Sequence, residues 1–233
     1  MSADIASSRP IILVGMMGCG KTTVGRRLAA RLGREFVDAD KEIEARCGVA
    51  VATIFELEGE AGFRLREAQL LDELTRRQGL VIATGGGAVL REDNRQRLRD
   101  RGFVIHLCAS LSELWHRLRH DKSRPLLRTA NPRQKIADLM HAREPLYEAV
   151  SHVSVMTGRQ SAERVVADII AVLPAELAAA PALCSSTDPC LNSGPLRGHL
   201  PARRPTRPRR RRTARRRPCN RRRRRTDADG LAG

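Results

Sequence analysis

The chain carries Gly15-Met16-Met17-Gly18-Cys19-Gly20-Lys21-Thr22, which fits the pattern Gly-x-x-x-x-Gly-Lys-[Ser/Thr] of a phosphate-binding loop. The apolar run at 11–14 precedes it and is typical of a buried parallel strand. After it, apolar residues recur at helical spacing up to Leu32, and Gly33 stands where such a helix would end. This order of strand, loop and helix predicts a nucleotide-binding site at the start of the chain.

The chemistry of the loop explains why these residue types are needed. Glycines let backbone N–H groups close around phosphate oxygens, and the helix N-terminus adds a partial positive charge. Lys21 is expected to reach the β- and γ-phosphates, and the Thr22 hydroxyl to hold Mg²⁺. A dinucleotide fingerprint is excluded, because Thr23 occupies the position of its last glycine.

The charge is distributed unevenly over the 233 residues, whose formal net charge is +17. Residues 174–233 hold 16 Arg and 4 acidic residues, whereas residues 1–173 hold 27 basic and 22 acidic ones. We therefore expect a globular domain at 9–173, a flexible N-terminus at 1–8 and a disordered, Arg-rich, low-complexity tail at 174–233.

The six cysteines form no C-x-x-C pair, the start lacks a signal-peptide pattern, and no apolar run approaches 18 residues. A reduced, cytoplasmic protein with no membrane segment is expected.

Five apolar runs alternate with helical segments, a pattern typical of an α/β fold with a parallel sheet. The expected strands are 11–14, 35–38, 79–83, 103–107 and 152–155. The segment 121–132 breaks the periodicity with two prolines and is expected to form a mobile lid over the nucleotide.

Polar residues and glycines follow two of these strands. Asp38 and Asp40 end the second strand, at the carboxyl edge where parallel sheets bind ligands. We expect Asp40 to contact a ligand and also to cap a helix that begins at Lys41. The third strand ends in Gly85-Gly86-Gly87, which lets backbone N–H groups approach a ligand closely.

Arg64 and Glu67 have the i,i+3 spacing of neighbours on one helix face. By spacing alone, a solvated ion pair is the favoured interpretation.

Five features in this order resemble the shikimate kinase family. They are GMMGCGKT, FVDAD (36–40), GFR (62–64), GGG (85–87), and RPLL (124–127) with REPLY (143–147). The resemblance covers roughly 9–173. It implies a P-loop fold like that of nucleoside monophosphate kinases, with a five-stranded parallel sheet flanked by helices. It also implies transfer of the ATP γ-phosphate to the 3-hydroxyl of shikimate, in aromatic amino-acid biosynthesis.

The resemblance also implies a set of site residues for each of three ligands. Those for ATP are Gly18, Cys19, Gly20, Lys21, Thr22, Thr23, Arg117, Arg124 and Gln160. Those for shikimate are Asp40, Arg64, Gly85, Gly86, Gly87 and Arg143. Those for Mg²⁺ are Thr22 and, through water, Asp38. Lys21, Asp40 and Arg124 are the expected catalytic residues, with Asp40 as base or positioning group and Arg124 arriving with the lid.

Two alternatives remain open at this stage. One is another small-molecule kinase of the same superfamily, such as a gluconate kinase. The other is a nucleic-acid-binding protein that acts through its Arg-rich tail, since a basic segment neutralises phosphates without reading sequence. We expect a monomer whose partners are ATP and shikimate, with nucleic acid possible only through the tail.

Overall fold

The computed structural model describes residues 9–121, 127 and 129–178. The segment 1–8, most of the expected lid and the tail from 179 lie outside the described residues. In the described part of the chain, five strands form one parallel sheet in the order β2-β3-β1-β4-β5. The strands are β1 (Ile11–Val14), β2 (Glu35–Asp38), β3 (Leu80–Ala83), β4 (Phe103–Cys108) and β5 (Val153–Met156). The predicted fold class is confirmed.

Helices connect the strands, as a parallel sheet requires. Within the described ranges they are α1 (Lys21–Leu32), α2 (Ala39–Cys47), α3 (Val51–Leu74), α4 (Glu92–Arg101), α5 (Leu111–Leu118), α6 (Pro132–Val150), α7 (Ala162–Val172) and α8 (Ala175–Ala178). A 3₁₀ turn at Ala88–Leu90 follows the glycine triplet. α1 packs on β3 and α7, and α6 packs on β4, α4 and α5. None of the helices described is long and apolar enough to cross a membrane.

Glycines end or interrupt the helices where the sequence indicates. Gly33 and Gly48 follow α1 and α2 in the left-handed region, with φ of 64° and 70°. Gly59 interrupts α3 with φ 69° and ψ −176°. The helical region after β2 is therefore divided at Gly48 and kinked at Gly59.

The start of α2 differs from the prediction. Asp38, not Asp40, is the N-cap: its backbone is extended, and its side chain accepts the backbone N–H of Lys41 at 3.3 Å. Asp40 already lies in the first helical turn. The helix begins two residues earlier than expected because the carboxylate that can reach a free N–H of the first turn is the one that ends β2.

The ordered fold continues beyond the expected boundary at residue 173. Leu177 in α8 is buried, and its carbonyl oxygen accepts Nη2 of Arg34 at 3.1 Å. Arg34 is itself buried and also donates to the carbonyl of Arg9 at 2.8 Å. One guanidinium therefore holds both ends of the described domain, and the boundary at 173 is too early.

We expect a chain ending at Ala178 to be more stable than one ending at Leu173. Full burial of a leucine contributes about 1.5–3 kcal/mol, and the shorter chain also removes an acceptor of Arg34. Denaturant unfolding of both truncations should show a free-energy difference of about 2 kcal/mol or more, with Leu177→Ala in the longer chain reproducing most of it. Equal midpoints would show that α8 adds nothing to the fold.

Candidate active site

The phosphate-binding loop depends on glycine at its first position. Gly15 has φ 137°, and a Cβ there would lie 2.5 Å from the carbonyl oxygen of Leu107. β4 thus passes so close to the loop that any side chain at 15 would displace one of them. Gly18 and Gly20 also have positive φ, of 78° and 101°.

Lys21 begins α1 and turns back over the loop. Its Nζ donates to the carbonyl oxygens of Gly15 and Met16 at 2.8 and 2.9 Å and lies 3.7 Å from Sγ of Cys19. Lys21 is 9% exposed and lines a cavity, so the loop holds a positive charge in the cavity wall. Such a charge suits the phosphate groups of a nucleotide.

Thr22 links the loop to the second strand. Its hydroxyl donates to Oδ2 of Asp38 at 2.6 Å. Because Asp38 also caps α2, both of its oxygens are committed, and its position is fixed from two sides. Two oxygen donors at one point of the sheet edge are ligands of the kind that Mg²⁺ accepts.

A first cavity of 440 Å³ lies above the loop and α1. Of the residues predicted for ATP, those that line it are Gly18, Cys19, Gly20, Lys21, Thr22, Thr23, Arg117 and Gln160. The remaining one, Arg124, lies outside the described residues. The cavity therefore collects every described residue of the predicted nucleotide set.

Arg117 closes the far wall of this cavity. Its guanidinium donates to the carbonyl oxygens of Gly18, Thr157 and Gly158 at 3.0, 3.1 and 2.6 Å. It thereby fixes the segment that carries Gln160 against the phosphate loop and leaves a planar cation at the cavity wall. A planar guanidinium group can stack on an aromatic base.

A second cavity of 400 Å³ adjoins the first. The residues predicted for the acceptor all line it: Asp40, Arg64, Gly85, Gly86, Gly87 and Arg143. Arg143 is 5% exposed and donates Nη1 to the carbonyl oxygen of Gly86 at 3.1 Å. Two guanidinium groups facing one cavity make it suitable for an anionic ligand.

The ion pair between Arg64 and Glu67 exists, but it is not solvated. Nη1 of Arg64 lies 2.6 Å from Oε2 of Glu67, and the Glu67 side chain is fully buried. Glu60 also accepts from Arg64, at 3.1 Å. The spacing correctly predicted that Arg64 pairs with Glu67, but the predicted solvent exposure of the pair is wrong. The pair is buried because this face of α3 packs against the glycine triplet.

Glu67 is the site residue that the sequence did not reveal. Its Oε1 is buried and has no hydrogen-bond partner among the described residues, although it borders the second cavity. Burial raises the pKa of this carboxyl above its ordinary value, and the charges of Arg64 and Arg143 oppose that shift. An unsatisfied buried acceptor beside a cavity is suited to a hydroxyl group of a ligand.

The glycine triplet is needed for close approach. A Cβ on Gly85 would lie 2.5 Å from Oε1 of Glu67 and 2.7 Å from Oδ1 of Asp40. A Cβ on Gly87 would collide with the guanidinium of Arg64. These three polar side chains can therefore lie against the segment only while positions 85 and 87 are glycine.

Tyr147 holds the middle of the triplet in place. Its buried hydroxyl donates to the carbonyl oxygen of Gly86 at 2.5 Å, and burial raises the pKa of this phenol. The same carbonyl accepts from Arg143, which stands four residues earlier on α6. One face of α6 thus fixes both the glycine triplet and an arginine of the cavity.

Comparison with known proteins agrees with this arrangement. The family model "Shikimate kinase" matches residues 17–174. The chain is 58% identical over 156 residues to a shikimate kinase of Bordetella avium, covering 67% of this chain and 75% of the relative. It is 56% identical over 174 residues to that of Bordetella pertussis, covering 75% and 82%.

Solved structures give the same result. A shikimate kinase from Acinetobacter baumannii in complex with shikimate is 48% identical, with a TM-score of 0.68 over 70% of this chain and 91% of that one. The chain belongs to the shikimate kinase family. Its activity is ATP-dependent phosphorylation of shikimate, a step of aromatic amino-acid biosynthesis. The gluconate-kinase alternative is set aside by the family match.

Within this family site, we expect Tyr147→Phe to weaken shikimate use while sparing ATP use. Loss of one hydrogen bond to Gly86 costs about 0.5–1.5 kcal/mol, or roughly two- to tenfold in KM. Steady-state kinetics should show this rise in the shikimate KM with an unchanged ATP KM. Ser151→Ala is a matched control, because it deletes the hydroxyl of the residue that caps α6, which among the described residues donates to the carbonyl of Glu148 and not to the triplet. If the two variants behaved alike, Tyr147 would not position the triplet.

Proposed function

We propose that the first cavity holds ATP with Mg²⁺, that the second holds shikimate, and that the phosphoryl group passes across the wall they share. Thr22, Asp38, Asp40 and Gly86 border both cavities. This shared wall is the observation that carries the proposal. Because phosphoryl transfer depends chiefly on positioning and charge stabilisation, a donor and an acceptor cavity must meet at such polar groups.

Mg²⁺ suits the donors present at this wall. The Thr22 hydroxyl and the Asp38 carboxylate are hard oxygen ligands within 2.6 Å of each other. Thr22 would hold the ion directly, and Asp38 through a water molecule. When bound, the ion neutralises charge that develops on the phosphate oxygens.

In the nucleotide cavity, backbone N–H groups of residues 18–23 would surround the phosphates. Lys21 would release the carbonyls of Gly15 and Met16 and turn its ammonium to the β- and γ-phosphates. Arg117 and Gln160 would contact the adenine. We further propose that Arg124 arrives with the lid at 121–132 and stabilises the transferring group.

In the acceptor cavity, Arg64 and Arg143 would bind the carboxylate of shikimate through charge-assisted hydrogen bonds. Asp40 would accept the proton of the attacking hydroxyl, or orient that hydroxyl, from the shared wall. Glu67 fixes Arg64 and offers its Oε1 to a neighbouring hydroxyl. Gly86 and its neighbours would supply backbone contacts.

We also propose that the protein acts as a cytoplasmic monomer. Binding of nucleic acid by the Arg-rich segment from 174 stays a prediction, because residues 179–233 lie outside the described part of the chain.

Arg143→Ala and Arg64→Ala test the acceptor cavity. Each should weaken shikimate binding by about 1.5–3 kcal/mol per lost charged hydrogen bond, roughly ten- to hundredfold, and leave ATP binding nearly unchanged. Lysine at either position should restore only part of the shikimate affinity, because lysine lacks the planar, two-pronged guanidinium. Calorimetric titration with each ligand is the measurement.

Arg66→Ala is the matched control for these variants. It removes a guanidinium from α3, two residues from Arg64, where Arg66 is exposed and pairs with Glu58. Its affinity for both ligands should equal that of the wild type. Unchanged shikimate affinity in both Arg143→Ala and Arg64→Ala would overturn the assignment of the second cavity.

A further inference from the structure

A His–Cys–Glu cluster lies behind the phosphate loop, apart from both cavities. His106 and Cys108 are two residues apart in β4 and therefore lie on the same face of the strand. Glu144 approaches them from α6. One ligand atom from each of the three lies within 4.8 Å of the others. These three residues do not line the two cavities assigned to ATP and shikimate.

We propose that His106, Cys108 and Glu144 form a binding site for a soft divalent cation of the zinc class. The distance between Sγ of Cys108 and Nδ1 of His106 is 3.3 Å. Tetrahedral zinc with ordinary Zn–S and Zn–N bonds holds such a pair about 3.5 Å apart. The thiolate and imidazole are therefore already separated as two ligands of one ion would be.

The third ligand requires only a side-chain rotation. Oε1 of Glu144 lies 3.9 Å from Nε2 of His106, on the other edge of the ring. The Glu144 side chain is 37% exposed, so it can swing toward the ion without disturbing the core. Water would complete the four positions, as in zinc sites with three protein ligands.

Charges of both signs act on the cluster. The carboxylates of Glu144 and Glu148 would attract a cation bound there, whereas the charge of Lys21 would oppose it. The buried imidazole of His106 can act as a ligand in its neutral form, and Cys108 would exchange its thiol proton for the ion.

Glu144 has no lysine or arginine partner among the residues described. It lines neither of the two cavities, so it contacts neither substrate in the proposed arrangement. Its neighbours in the motif, Arg143 and Tyr147, both face Gly86 instead.

The test uses Co²⁺ as a spectroscopic probe on the full, reduced chain freed of metal with a chelator. We expect a saturable thiolate-to-cobalt charge-transfer band at about one equivalent, which excess Mg²⁺ leaves in place because Mg²⁺ prefers oxygen ligands. Cys108→Ser should abolish the band. Glu144→Gln should weaken binding about tenfold or more.

Cys47→Ser is the matched control, since Cys47 is another partly buried free cysteine, which contacts Arg66 and does not belong to the cluster. It should keep both the band and the affinity. A chain with no saturable band would overturn the proposal, leaving the 3.3 Å contact as a thiol–imidazole hydrogen bond. An equal band in Cys108→Ser would overturn it too, since the ion would then sit on other cysteines.

Discussion

The hydrogen bond from Thr22 to Asp38 is the interaction on which the site depends. β1 and β2 are not neighbours, because β3 runs between them. The hydroxyl that follows β1 nevertheless meets the carboxylate that ends β2 at 2.6 Å, above the carboxyl end of β3. The chemistry of the wall therefore depends on the parallel register of three strands.

One face of α6 supplies an arginine of the acceptor cavity and fixes the glycine triplet. Arg143 and Tyr147 are four residues apart, so both point at the carbonyl of Gly86. Glu144 is turned by about 100° from Arg143 around the helix axis and faces β4. The REPLY segment thus has one face for the acceptor cavity and another for the strand behind the phosphate loop.

The sequence predicted the parts of the molecule that local patterns determine. The strands at 11–14 and 35–38 and the end of α1 at Gly33 match the structure. Apolar runs and glycine positions determine such features directly. The two site lists, apart from Arg124, also gather in two cavities, because the motifs follow the carboxyl ends of β1, β2 and β3.

Other features depend on contacts between residues far apart in the sequence and could not be predicted from local sequence patterns. Asp38 and Asp40 are equally suitable N-cap residues in the sequence. The direction of the chain at the end of β2 decides that Asp38 reaches a free backbone N–H of α2. Glu67 looked like a solvated helix residue until the glycine triplet was placed against it. Leu177 lies beyond the clear periodicity, and its carbonyl oxygen accepts a hydrogen bond from Arg34, which is 143 residues earlier.

The most direct measurement of the central claim is phosphoryl transfer by the purified chain with Mg²⁺ and ATP, comparing shikimate with gluconate and nucleoside monophosphates as acceptors. The two adjoining cavities predict turnover with shikimate, with the phosphate recovered on its 3-hydroxyl, and little or none with the other acceptors. Turnover with gluconate or a nucleotide in place of shikimate would contradict the assignment of the acceptor cavity.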